Sequence, residues 1–213
     1  FDLDGKPSTA QSTDLCQPLK DASAKSVYPD GDDGIDNNFG HHIVPILLGL
    51  SPTPSADAST SIDQGKAPTT LFRLGLLGTP HGTAEALPCD RDWQSPPPAW
   101  DGSDAWRART DGLEGADPAS PRAHFTESEV VRTSSGTLVW RARGADGLRL
   151  LVATAGFVLP IPLRAVRVTA VLSEDLTHMT EGRLGGVIDL ELFVHELSML
   201  GADVLENGCP SPT

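Results

Sequence analysis

Positive charge is scarce in this chain of 213 residues: Lys and Arg number 16 against 29 Asp and Glu, for a formal charge of -13. A surface of that sign repels phosphate backbones and anionic headgroups, which excludes nucleic acid as a partner and favours cations or basic partners. No run of about 18 apolar residues occurs, so no membrane-spanning segment is expected. Cysteine is also sparse. Cys16, Cys89 and Cys209 stand far apart, without the CxxC or CxxCH spacings of zinc ribbons, thioredoxin-like sites or haem attachment. The chain has no GxSxG elbow, no P-loop and no GxGxxG turn opening a helix, so serine nucleophiles and nucleotide binding have no support.

What is abundant is turn-forming residue. Gly 21 and Pro 18, with 38% hydrophobic content, describe short elements joined by tight turns. The length suits a single domain, 1–213, able to bury a core without metal or disulfide. Within it, 1–50 reads as an acidic loop and helix arm, with Asp36 or Asn37 capping a short helix that Pro45 limits. Residues 51–60 read as a Ser/Pro/Ala/Thr linker and 70–77 as a strand. Residues 79–128 read as a long excursion rich in Pro and Trp. From residue 129 turn signals recur about every 8–12 residues, predicting strands near 129–133, 137–141, 148–153, 156–160 and 163–172. The last of these alternates with one step out of phase, which points to a bulge. Leu190, Phe193, Val194 and Leu197 fall at helical spacing after Asp189, predicting a capped C-terminal helix packed on the sheet. The expected fold is therefore mainly β, an antiparallel sandwich or barrel with one or two accessory helices.

The segment with the most distinctive chemistry runs from Asp30 to Asn38. Asp30, Asp32, Asp33, Asp36, Asn37 and Asn38 offer side-chain oxygens within nine residues, and glycines between them allow the tight bend that a hard cation such as Ca2+ requires. The loop resembles the aspartate/asparagine calcium loops of thrombospondin type-3-like repeats. Against this stands a plain Asp/Gly turn facing water, since the phrase occurs once and has neither the EF-hand glycine nor its glutamate. His41 and His42, with Asp36, are a candidate Zn or Cu site. Adjacent histidines diverge, however, so a third ligand from elsewhere is needed.

Phe1-Asp2-Leu3-Asp4-Gly5 is similar to the opening of haloacid-dehalogenase-type phosphotransferases, but no buried strand precedes it and Lys6-Pro7 breaks the pattern. His195-Glu196-Leu197-Ser198-Met199 starts like HExxH and puts Met199 where the second zinc ligand belongs. Trp93, Trp100 and Trp106 lie among acids and prolines. They suit either stacking on sugar rings or, more commonly, anchoring a loop. Cys16 and Cys89 form the preferred disulfide with Cys209 left over, the alternative being three reduced thiols.

The phrase Asp30-Gly31-x-Asp33-Gly34-Ile35-Asp36-Asn37-x-Phe39-Gly40, with Glu181-Gly182-x-Leu184-Gly185-Gly186-Val187-Ile188, resembles a group of uncharacterised exported bacterial proteins and lipoproteins. That resemblance implies export and surface residence and carries no catalytic residue. The chain reads as trimmed at both ends, so a missing export signal is uninformative. The expectation is an exported, calcium-stabilised binding or structural module at the cell surface, with a protein or carbohydrate ligand. The alternatives are a secreted hydrolase with an acidic site at 90–117 and a transition-metal binder using His41 and His42.

Overall fold

Alternating apolar and polar residues become strands through most of the chain beyond residue 69. The computed structural model describes residues 1–3, 5–9, 11–12, 28–36, 38–50, 52–75, 82–92, 94–154 and 157–208. They fall into two units, Phe1–Pro54 and Ser55–Thr213.

In the first unit a 3-10 turn, Asp32–Gly34, precedes α1 (Asn38–His42) and α2 (Val44–Leu50). Pro45 sits in the first turn of α2, where the missing N–H has no helical acceptor to lose. The expected 51–60 linker instead contains α3 (Pro54–Asp63), whose leading proline has a φ suited to a first helical turn.

The second unit is a two-sheet antiparallel sandwich, and among the described residues the strands do not close into a barrel. The first sheet is built on β2 (Thr83–Asp90), which pairs with β1 (Thr69–Gly75), β3 (Arg107–Ala108) and β4 (Ala123–Phe125). The span 79–128 is thus not a single excursion, because β2 lies inside it. Pro88 disguises that strand. β4 pairs with 84–86 and β3 with 89–90, so the proline falls in the gap between them, where no ladder donor is needed.

The second sheet holds β5 (Glu127–Arg132), β6 (Leu138–Ala145), β7 (Leu148–Thr154), β8 (Phe157–Leu172) and β9 (Met179–Ile188). The two strands expected at 156–160 and 163–172 are one. Pro160 and Pro162 pair only with β7, opposite Leu151 and Arg149. The Pro162 carbonyl accepts the Asp189 amide at 3.1 Å on the side away from β7, and a strand residue's N and O point the same way. Both proline nitrogens therefore face a side that has no pairing strand. The expected bulge lies at Ala165, at φ 48, where the β8–β9 register shifts between Arg164 and Arg167. Its amide donates to Asp146 Oδ1 at 2.9 Å, from the Asp-Gly turn joining β6 to β7. This shift puts Leu163, Val166, Val168, Ala170 and Leu172 in the core, while Val171 lies outside it.

Trp140 joins the sheets. It is 1% exposed, its ring lies 5.4 Å from Phe72 on β1 and 6.4 Å from Phe125 on β4, and its Nε1 donates to Ser128 Oγ at 3.1 Å.

β9 occupies 179–188, a glycine-rich stretch with little apolar alternation to mark it as a strand. α4 (Leu190–Gly208) follows, and Asp189 caps it as expected, accepting from the Leu192 amide at 3.1 Å. The expected packing face is corrected. Phe193 is 3% exposed, but Leu190, Val194 and Leu197 are 57%, 52% and 42% exposed. Under the helix, Leu192 and Glu196 border a charged cleft, in which Glu196 meets Arg149 of β7.

Candidate functional site

The acidic loop of the first unit grips the amino-terminal segment. Asp30 and Ser8 form a reciprocal pair, Ser8 N donating to Asp30 Oδ2 at 2.6 Å and Asp30 N to Ser8 Oγ at 3.1 Å. Asp36 repeats the arrangement with the first residues: its Oδ2 accepts the Leu3 amide at 2.5 Å, and its own amide donates to the Phe1 carbonyl at 3.0 Å. Asp32 and Asp33 are exposed at the bend, where Asp33 and Gly34 have φ of 58 and 75. Asn37 lies outside the described residues, and for Asn38 only the backbone, at the start of α1, is described. Among the described residues, no three His, Cys, Asp or Glu side chains are grouped to hold a metal ion. His41 and His42 both turn to Tyr28. The first stacks on it at 4.1 Å and the second meets it edge-on at 5.2 Å.

The expected Cys16–Cys89 disulfide is corrected: Cys89 lies in β2, buried and free. Burial first, then the Asp90 charge, pushes its thiol pKa up, which keeps it unreactive. Cys16 and Cys209 lie outside the described residues.

The segment between β2 and β3 holds the most built surface of the second unit. The Asp104 carboxylate accepts the Ala99 amide at 3.0 Å, the Trp100 amide at 2.7 Å and the Arg91 guanidinium at 2.9 Å. Against an upward pull from desolvation, those amides and Arg91 hold Asp104 below the ordinary carboxylate range. The Arg91 and Asp104 side chains are only 7% and 10% exposed. Arg91 also lies 5.1 Å from the centre of the Trp106 ring, a cation–π contact. Trp106 in turn meets Trp100 at 5.4 Å.

Trp100 is the unusual member. Its φ is 56, a left-handed conformation that costs on the order of 1–3 kcal/mol for a bulky residue. Its side chain is nonetheless left 49% exposed. An anchoring tryptophan buries its ring, as Trp106 partly does, whereas Trp100 is strained and presented to solvent. Trp93, the third member of the expected set, lies outside the described residues. Sequence reasoning singles out Asp92, Asp101 and Asp104 as acceptors for sugar hydroxyls near the tryptophans, and misses Arg91 and the framing role that Asp104 takes instead. The signal was present in Ala99-Trp100-Asp101-Gly102-Ser103-Asp104, an Asp-rich turn phrase in which carboxylates accept nearby amides.

Most of the acids expected to serve a hydrolase at 90–117 have structural partners. Asp90 and Asp111 bind Arg109 at 2.9 and 3.1 Å, Asp92 accepts the Gln94 amide, and Asp101 accepts Ser103. Desolvation raises the Asp111 pKa, but Arg109 and Arg149 outweigh it and keep the group lowered and ionised, which is unsuited to a general acid.

Compared with protein-family models, curated proteins and solved structures, the chain matches none.

Proposed function

We propose that the protein is an exported binding module of β-sandwich architecture whose ligand is a carbohydrate, taken on the face formed by Trp100 and Trp106. The observation that carries this reading is the strained, half-exposed Trp100, held rigid by Asp104. Flat aromatic faces stack on the C–H faces of sugar rings, and a platform already ordered before binding loses little side-chain entropy. Asp101 and Ser103, close to Trp100 in the chain and bonded to each other, supply polar groups for hydroxyls. Binding is favoured over hydrolysis because the carboxylates nearby are tied to arginines and amides.

The test is tryptophan fluorescence titration with cello-, xylo-, chito- and manno-oligosaccharides. At least one series is expected to bind, and Trp100→Ala to weaken it tenfold or more at unchanged melting temperature. Failure of all four series, or an unaffected Trp100→Ala variant, refutes the reading.

Calcium belongs to this proposal as a support for the amino-terminal arm. Asp32 and Asp33, on a bend with two left-handed residues, are the groups left for an ion once Asp30 and Asp36 hold amides. A melting temperature lowered by EDTA and restored by calcium supports that role. Indifference to EDTA leaves the Asp30 and Asp36 hydrogen bonds as the clamp. Export and surface residence rest on the two glycine-rich phrases. Secretion of the full-length protein by its native host tests them.

A further inference from the structure

Beneath α4 lies a cleft of about 540 Å³, bordered by the β6–β7 turn, β7, β8 and the helix. Small-molecule sites span about 300–1,000 Å³, so the cleft has the size of one. Three arginines and four carboxylates line it. Most are tied to one another. Arg149 spans Asp111, at 3.2 Å, and Glu196, while Arg164 meets Asp189. Asp189 also caps α4, and Asp146 holds the Ala165 amide of the bulge.

Arg122 differs from the other two arginines. Its Nε donates to the Leu113 carbonyl at 2.9 Å, which fixes the guanidinium, and its terminal nitrogens make no ion pair among the described residues. That end of a guanidinium matches a carboxylate with two parallel hydrogen bonds. The surrounding carboxylates restrict what else the ligand can carry. A dianion would meet Asp111, Asp146 and Glu196, and a simple cation would meet Arg122. A molecule with one carboxylate and one ammonium group satisfies both halves.

We propose that this cleft is a second ligand site, binding a small zwitterion, either a free amino acid or a short peptide, with its carboxylate on Arg122 and its ammonium group toward Asp146 and Glu196. The wall is preformed, since the bulge, the helix cap and the Arg149 bridge hold its charged groups before any ligand arrives. Neither Trp100 nor Trp106 lines the cleft, so this inference stands or falls separately from the carbohydrate platform.

The experiment is calorimetric and amide-NMR titration of the intact chain with L-alanine, tri-L-alanine, N-acetyl-tri-L-alanine and succinate. L-alanine or tri-L-alanine is expected to bind at millimolar affinity or better and to shift the Gly147 and Ala165 amides. The stronger of the two identifies the free or the peptide form. The acetylated peptide and succinate are expected to bind at least tenfold more weakly. Arg122→Gln is expected to weaken binding tenfold or more, and Arg122→Lys to rescue it only in part because the fork is lost. The proposal is overturned if neither zwitterion binds the wild-type chain, if succinate or the acetylated peptide binds as well, or if Arg122→Gln leaves affinity unchanged. The ligand comparison needs no variant, so a misfolded substitution cannot blur the outcome.

Discussion

Ser128 illustrates how one residue supports a core. It is the buried polar side chain among the described residues, and it accepts the indole N–H of Trp140, a ring closed off from solvent at 1% exposure. Ser128→Ala leaves that donor unsatisfied and is expected to lower unfolding free energy by about 1–3 kcal/mol, read by urea titration of tryptophan fluorescence. Asp175 is a second case. Hydrogen bonds from Ser173, then Thr177, push its pKa down to about 2. A depressed carboxylate contributes stability that is present above its unfolded pKa, near 3.9, and is lost as pH falls through the folded value. Wild type and Asp175→Asn are therefore expected to differ in melting temperature above about pH 4 and to converge toward about pH 2. At this scale the sequence was partly legible. The acids of the 30–38 loop stood out because they are contiguous. Ser128 did not, because only pairing β5 with β6 in the observed register puts it beside Trp140.

Among elements, β5, β6 and β7 could be read from the turn phrases between them, whereas the prolines of β8 divide it into two expected strands. Thr133 and Gly136 close the β5–β6 hairpin with a 2.9 Å bond, whereas Asp146-Gly147 joins β6 to β7, which lie along successive parts of β8 and pair with it instead of with each other. β2 and β9 were hidden, the first by Pro88 and the second by glycines, since their strand character comes from neighbours and not from local pattern. The bulge was visible as a phase slip. What the slip does not reveal is that Ala165, not glycine, adopts the left-handed backbone. Ala165→Gly is expected to raise stability by about 0.5–1 kcal/mol, as relief of strain exceeds the added unfolded-state entropy. Helical spacing located α4 correctly and misassigned its buried face. Phe193→Ala is expected to cost about 3–5 kcal/mol, whereas Leu197→Ala stays within about 0.5 kcal/mol. Denaturant unfolding of the two variants separates the observed packing from the face that periodicity suggests.

For the molecule as a whole, recurring turn signals and residue alternation foretold the mainly β class. They could not foretell the sites, because the platform joins Arg91 to residues 99–106 and the cleft gathers side chains from strands, a turn and a helix. Such groupings depend on closure of the sandwich, so spacing along the chain does not encode them. The two prolines of β8 bear on the fate of molecules that meet one another. Apart from its two prolines, Phe157-Val158-Leu159-Pro160-Ile161-Pro162-Leu163 is apolar, uncharged and extended, the composition of a segment that stacks into fibrils. A strand from a second molecule docking on that side would find no donor at alternate positions, so the ladder cannot propagate. Replacing both prolines with valine is expected to leave the β7 pairing intact while making heated solutions aggregate and bind thioflavin. On this account the interruptions that obscure the longest strand in the sequence are also expected to restrain association between molecules.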